Sequence, residues 1–343
     1  MSESGGWSAP DDQSDRPQDP APQQQPYPAA PPPPMYYGPQ QAPKPGVIPL
    51  RPLGLGEILD GAVTTMRTYP KQMLGISVLI SAVTNLLVYG ITIFLVTQTT
   101  VFTPDFTSGM DQADRDLELL RISLLVSIPG LIIGILAGMI LNGLLTVVMG
   151  KAVLGQPITV SEAWGHVRPR FGALVAVSLL YTLLVTAGAI VFVIPGVWLY
   201  ILFSLASTAL ILEGAPVGRS MTRSRVLMRD AWWRTFGILL LTALLTFLLS
   251  LIISLPFSLI NGDLSSVTGL DPQYETAYLL TTIGTIITQA ITLPLTSGVT
   301  TLIYIDRRMR REGMDIELAR QAGMTPPQPP PPPYPGGPAP QSW

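Results

Sequence analysis

The sequence predicts an all-α integral membrane protein with six transmembrane helices and a Pro-rich tail at each end. Long apolar stretches without any Asp, Glu, Lys or Arg are the first reason for this class. A composition of 48% hydrophobic but only 12% charged residues is the second. A helix needs about 20 apolar residues to cross a hydrocarbon layer roughly 30 Å thick. The stretches lie near residues 73–97, 122–150, 171–212, 236–260 and 278–304.

The stretch 171–212 is long enough to cross twice, because it holds 42 residues. Pro195-Gly196, a pair that breaks helices, stands inside it. We expect the chain to turn at this pair, which gives one span at 171–194 and another at 197–212. The number of predicted spans is therefore six.

The two ends of the chain have a different composition from the spans. The first 46 residues hold 13 prolines, and the last 22 residues hold 10. Segments of this kind lack the apolar surface that offsets the entropy of ordering. We predict disordered tails at 1–47 and 321–343, which act as tethers or as docking strands for Pro-binding proteins. The membrane domain is expected at 48–320.

The distribution of basic residues predicts the orientation. If the N-terminus is cytoplasmic, 18 of the 20 Lys and Arg residues lie on the cytoplasmic side, and only Arg115 and Arg121 lie outside. Short loops rich in Lys and Arg stay in the cytoplasm. Both tails are therefore predicted to be cytoplasmic.

An amphipathic segment precedes each predicted pair of spans, at 55–69, 159–167 and 216–234. In the second segment, Thr159 and Glu162 have the spacing of a capping box. We expect all three segments to lie on the cytoplasmic surface with their apolar faces toward lipid. The predicted architecture is three helical hairpins, each preceded by an interfacial helix. The motifs expected at the outer ends of spans two and four are Ile128-Pro129-Gly130 and Ile194-Pro195-Gly196.

The third amphipathic segment combines five arginines with two tryptophans. Val217, Met221 and Met228 are expected to face lipid. A basic residue near an anionic membrane surface contributes about 1 kcal/mol of attraction, and Trp prefers the headgroup boundary. We therefore predict contact with anionic lipids and no binding of nucleic acid. The predicted contact residues are Arg219, Arg223, Arg225, Arg229, Trp232, Trp233 and Arg234.

Small and amide side chains inside the spans predict contacts between helices. Two successive Gly-x-x-x-Gly steps place three glycines on one face of span two, where another helix can approach closely. The partner is a helix of the same chain or of a second copy, so the oligomeric state stays open. The glycines are Gly130, Gly134 and Gly138, and the amides expected to form interhelical hydrogen bonds are Asn85, Asn142 and Gln289.

The sequence lacks the combinations of residues that catalysis or metal binding would require. His166 is the single histidine, and the chain has no cysteine. Hydrolysis needs a nucleophile with a base or paired carboxylates, and a metal site needs several ligands at a suitable spacing. We therefore expect neither an enzyme nor a cofactor or metal.

Three segments give the chain a family resemblance. The runs at 49–61 (PLRPLGLGEILDG), 212–220 (LEGAPVGRS) and 304–317 (YIDRRMRREGMDIE) resemble bacterial multi-pass proteins related to the glycerophosphoryl diester phosphodiesterase membrane domain. The resemblance covers about residues 48–320. It implies a bacterial cell membrane and a lipid-related context, and it names no active site. It concerns the membrane region only, without the catalytic domain.

Three functions are compatible with these observations. The first is a non-enzymatic membrane module, either a scaffold or a lipid-associated regulatory component. The second is a transporter or permease component for a lipid or small molecule, and the third is a membrane partner of a phosphodiesterase encoded elsewhere. Ion-coupled carriers generally use ionisable residues within their spans. The uncharged spans of this chain therefore favour the module.

Overall fold

The computed structural model describes Lys44 and residues 46–98, 111–260 and 274–314, all within one compact unit. The predicted tails lie outside these ranges, apart from Lys44 and Gly46–Val47. A π-helical turn at Lys71–Gly75 leads into α2, and a 3-10 turn at Arg168–Arg170 joins α4 to α5. The α-helices of the described residues are α1 (Leu55–Thr68), α2 (Ile76–Gln98), α3 (Gln112–Val153), α4 (Val160–Val167), α5 (Phe171–Val191), α6 (Val193–Phe203), α7 (Ala206–Glu213), α8 (Val217–Met228), α9 (Trp232–Ile260) and α10 (Tyr274–Glu312).

Six helical stretches in the described part of the chain are long and apolar enough to cross a membrane. This number agrees with the prediction, and the chain is a multi-pass, all-helical membrane protein. The stretches are Lys71–Leu95, Gln112–Val153, Val160–Val191, Val193–Glu213, Trp232–Phe257 and Tyr278–Glu312.

The buried core lies toward one end of the bundle. We call this the basic end, because α1, α4 and α8 lie there together with the Lys- and Arg-bearing ends of the spans. The far halves of the spans expose large apolar side chains instead, as at Leu183 (64% exposed), which suits surfaces that face lipid. The largest fully buried side chains include Ile58, Met149, Leu205, Leu210 and Tyr304.

Helix α10 is central to the packing. It contacts α1, α2, α3 and α9, while α2 also packs on α3 and α5 packs on α6. Ile58 and Ala62 of α1 are fully buried. The apolar face of α1 therefore packs on protein, whereas the prediction placed it against lipid. The approach is close, because a Cβ at Gly61 would lie 2.9 Å from Leu302 Cδ1 of α10.

The hairpin turn in the long apolar stretch lies three residues before the predicted one. Phe192 has extended backbone angles (φ −165°, ψ 147°) and separates α5 from α6. Pro195 instead occupies the first turn of α6, where no helical hydrogen bond from its nitrogen is needed. Gly196 lets the two helices approach, since a Cβ there would lie 2.8 Å from Ala189 Cα.

Pro129 does not lie near the end of its helix. Helix α3 has 42 residues, about 63 Å in length, and Pro129 is inside it. The helix begins at Gln112, ten residues before the predicted span, and it therefore includes the acidic residues Asp114, Asp116 and Glu118.

The fourth span is divided rather than continuous. Helix α6 ends at Phe203 and α7 begins at Ala206. Ser224 of α8 bridges the break, because its Oγ donates to Leu202 O (2.8 Å) and accepts from Leu205 N (3.3 Å). A side chain from another helix therefore satisfies backbone groups that the break leaves open.

The start of α4 agrees with the capping-box prediction. Glu162 N donates to Thr159 Oγ1 (3.3 Å), and Thr159 N donates to Glu162 Oε2 (2.9 Å). These two bonds satisfy N–H groups that have no partner within the helix.

Candidate functional site at the basic end

A buried carboxylate connects the N-terminal segment to the last helix. Asp306 of α10 has a side chain only 1% exposed. It accepts hydrogen bonds from Leu53 N (2.8 Å), from Arg310 Nε (2.9 Å) and from Arg234 Nη1. Leu53 O in turn accepts from Arg234 Nη2 (2.6 Å) and Arg310 Nη2 (2.8 Å). Two guanidinium groups and one backbone amide thus surround a charge that burial alone would make costly.

A second cluster connects α7, α8 and α10. Arg223 Nε donates to Glu213 Oε1 (2.8 Å), and Arg223 Nη2 donates to Glu312 Oε2 (2.6 Å). Tyr304 donates its hydroxyl to Glu213, and Arg308 Nε donates to Glu312 Oε2 (2.9 Å). Burial lowers the pKa of Arg223, but the hydrogen bonds to Glu312 and Glu213 outweigh it and raise the pKa above its ordinary value.

Two further arginines of α10 bind the C-terminal end of α8. Arg307 Nε donates to Leu227 O (2.9 Å), and Arg311 Nη2 donates to Arg229 O (2.6 Å). The last carbonyl groups of a helix lack partners within it and carry partial negative charge. The arginines satisfy these groups and fix α8 against α10.

The predicted lipid-contact arginines divide into two groups. Arg219, Arg225 and Arg229 are exposed, as a surface contact requires. Arg223 and Arg234 are instead half-buried in the internal ion pairs described above. The prediction missed these pairs because it assigned all five by their nearness to the membrane.

The aromatic and apolar residues of the same segment also divide. Trp233 is 77% exposed, whereas the half-buried Trp232 ring stacks on Phe236 at a centroid distance of 5.3 Å. Met221 and Met228 are buried in the core, so their predicted exposure to lipid is wrong. Helix α8 therefore packs most of its apolar face on protein and presents Arg219 and Arg225 outward, together with Thr222 and Val226.

The predicted glycine face borders both a helix and a cavity. A Cβ at Gly130 would lie 3.0 Å from Val88 Cγ1 of α2, whereas no such contact exists within 4 Å of Gly134 or Gly138. Gly134 and Gly138 line a cavity of about 300 Å³, together with residues of α2 and α10.

The amide side chains within the spans form interhelical hydrogen bonds, as predicted. Asn85 Nδ2 donates to Gln289 Oε1 (2.8 Å), which joins α2 to α10. Asn142 Oδ1 accepts from Ser297 Oγ (2.9 Å), which joins α3 to α10.

A second cavity, which sequence reasoning did not detect, lies between α3, α5, α6, α7, α9 and α10. Its volume is about 310 Å³, and Gly138 and Asn142 form part of its wall. Many of the other lining residues carry hydroxyl groups. Their positions on four helices, α5, α6, α7 and α10, and in the α6–α7 junction give no local sequence signal, so only the tertiary structure brings them together.

The single histidine lies apart from these features. His166 is exposed on α4, and its Nδ1 lies 2.8 Å from Glu162 O. In the described ranges, no three His, Cys, Asp or Glu side chains lie close enough together to hold a metal ion.

The segments that carry the family resemblance meet at the basic end through Leu53, Glu213 and Asp306. Each segment contains at least one acidic residue and one arginine, and this was the available signal for the ion-pair clusters. In the comparisons with known proteins, no family model, no curated protein and no solved structure matches the chain. The resemblance therefore stays a prediction, and functional proposals rest on the geometry.

Proposed function

We propose that this chain is a non-enzymatic membrane module that binds anionic lipid at its basic end, as a scaffold or a lipid-associated regulatory component. The exposed trio Arg219, Arg225 and Arg229, beside the exposed ring of Trp233, is the observation that carries the proposal. Guanidinium groups bind phosphate oxygens well, and an indole ring suits the headgroup boundary.

The packing of α8 on the core supports a lipid-binding surface with a fixed conformation. Ser220, Ser224 and Leu227 are fully buried, and Arg307 and Arg311 hold the C-terminal end of the helix. Because the helix is held by the core, its outer arginines keep their spacing without a lipid. Less ordering entropy is then lost when headgroups bind.

The proposed location is the cell membrane of a bacterium, with the basic end and both tails in the cytoplasm. The concentration of Lys and Arg at one end of the bundle supports this orientation. The spans would form three hairpins, preceded by α1, α4 and α8. The packing of α2 on α3, α5 on α6 and α9 on α10 supports that arrangement.

Replacement of Arg219, Arg225 and Arg229 by Gln tests the proposal. At about 1 kcal/mol for each basic residue, the triple variant should bind anionic lipid more weakly by up to about 3 kcal/mol at low salt. Native mass spectrometry of protein released from phosphatidylglycerol nanodiscs measures the retained lipid. Arg223 and Arg234 stay unchanged, so the internal ion pairs are preserved.

A charge-matched control separates a local site from the general field of the basic end. The triple variant Arg67→Gln, Lys71→Gln and Arg168→Gln removes the same charge from other exposed positions. It should retain clearly more lipid than the α8 variant. Equal losses of bound lipid in the two variants would contradict a site on α8. An α8 variant that retains as much lipid as the parent would also contradict it.

A further inference from the structure

The second cavity, lined by residues of α3, α5, α6, α7, α9 and α10, has an uncharged wall that is partly polar and partly apolar. Asn142, Ser178, Tyr181, Thr182, Tyr200 and Ser207 contribute hydroxyl or amide groups to it, and no described lining residue is Asp, Glu, Lys, Arg or His. An anionic or cationic ligand would find no opposite charge there. The wall therefore suits an uncharged group that both donates and accepts hydrogen bonds.

Helix α5 brings three hydroxyl groups to the wall of this cavity, those of Ser178, Tyr181 and Thr182. Ser204 Oγ, also on this wall, donates to Ile201 O, and Asn142 Oδ1 accepts from Ser297 Oγ behind the wall. Tyr181 is half-buried in this wall, and its ring centroid lies 6.0 Å from that of Tyr200 on α6. Hydroxyl groups on the wall of a cavity can donate to and accept from a bound hydroxyl-bearing group.

The position of the cavity makes it reachable from the bilayer. Thr300, on its wall, precedes Asp306 by six residues of helix, which places it about 9 Å from the charged cluster. Ile135 and Tyr200, on the same wall, are 40% and 44% exposed, so the cavity borders the surface of the bundle.

The break in span four forms part of the same wall. Phe203, Ser204 and Ser207 line the cavity on either side of the α6–α7 junction. Discontinuous spans commonly border ligand sites in membrane proteins, because the break exposes polar backbone and side chains inside the bilayer.

We propose that this cavity binds an uncharged, hydroxyl-bearing group such as a glycerol unit. Two sources share this chemistry: the head of a neutral lipid such as diacylglycerol, which would enter from the bilayer, and a free polyol such as glycerol, which would enter from water. The site is separate from the arginines of α8 and does not depend on their lipid binding.

The test uses the full-length protein in phosphatidylcholine nanodiscs. One arm adds diacylglycerol and measures its retention by native mass spectrometry, and the other measures binding of radiolabelled glycerol by equilibrium dialysis. Binding in either arm supports the proposal and identifies the source. A parent protein that binds neither compound would overturn it and would leave a cavity that holds water only.

Variants connect any binding to the cavity. Tyr181→Phe with Thr182→Val removes two hydroxyls while the side-chain shapes are kept, and it should weaken binding at least about tenfold. Thr285→Val is the control, because Thr285 is exposed on α10 and bonds its own helix at Thr281 O. It should bind like the parent.

A second variant keeps the test decisive if the double variant folds poorly. Gly138→Leu places a side chain where no heavy atom lies within 4 Å of the Cβ position, so the bundle can accommodate it while the cavity is filled. It should lose binding without a lower unfolding temperature. Parent-like binding in both the double variant and Gly138→Leu would place the ligand elsewhere.

Discussion

At the scale of single residues, Asp306 has the largest predicted effect on stability. Asp306→Asn removes the charge that two arginines and Leu53 N bind. Breaking a buried ion pair leaves uncompensated charge, so we expect the free energy of unfolding to fall by about 3 kcal/mol. Unfolding by SDS titration from mild-detergent micelles measures this change.

Asp230→Asn is the matched control. Asp230 pairs with Arg311, but its side chain is 80% exposed, and an exposed pair contributes at most about 1 kcal/mol. Asn also tolerates the positive φ of 65° at this position. A loss for Asp306→Asn no larger than that of Asp230→Asn would show that the buried cluster does not stabilise the fold.

The hydrogen-bond partner of a polar side chain was predictable from the sequence where only one kind of partner, another part of the protein, was available. Inside a bilayer an amide side chain requires a hydrogen bond, and Asn85 and Asn142 both have interhelical partners. Arginine at a membrane surface has two kinds of partner, lipid and protein. Sequence alone did not separate Arg234, which binds Asp306 72 positions away, from the exposed Arg225.

At the scale of elements, the crossing of α1 and α10 depends on a small residue at Gly61. A Cβ there would lie 2.7 Å from Ile48 Cγ2 and 2.9 Å from Leu302 Cδ1. We expect Gly61→Ala to destabilise the protein by about 1–3 kcal/mol through overpacking, despite the higher helix propensity of Ala. The shift of the thermal unfolding midpoint in detergent measures this effect.

Gly237→Ala, in helix α9, controls for the stabilisation that the higher helix propensity of Ala provides. No heavy atom lies within 4 Å of its Cβ position, so this variant should be as stable as the parent or more so. If both variants raise the thermal unfolding midpoint equally, α1 can move away from α10 without a loss of stability, which would contradict the prediction.

The break between α6 and α7 gives a second prediction at this scale. Ser224→Ala removes the partner of Leu202 O and Leu205 N, which should cost about 1–3 kcal/mol of stability. Ser123→Ala, an exposed serine on α3 that bonds Leu120 O, should change stability little. Similar losses at both positions would mean that the break is satisfied in another way.

The elements were predictable to the extent that bilayer thickness determines them. A fixed hydrocarbon layer requires about 20 apolar residues for each crossing, so the number of spans followed from length and charge. The turn at Phe192 was placed wrongly because Pro is also favourable in the first turn of a helix. The break after Phe203 was missed because the serine that satisfies it belongs to α8.

At the scale of the whole molecule, the orientation can be tested with single cysteines, since the parent has none. Substitutions at Ser108 and Ser266 should react with an impermeant thiol reagent in intact cells, because the predicted outer loops contain them. Ser14→Cys and Ser342→Cys should react only after the cells are permeabilised. Labelling of either tail in intact cells would contradict a cytoplasmic location of both.

The hydrogen bond between Leu53 and Asp306 joins residues 253 positions apart. At a synthesis rate of about 5–20 residues per second, Leu53 leaves the ribosome on the order of 10 to 50 s before Asp306. During that interval α1 has no α10 to cover Ile58 and Ala62. The first helix must therefore wait, at the membrane surface or with a chaperone, until the last span has been inserted.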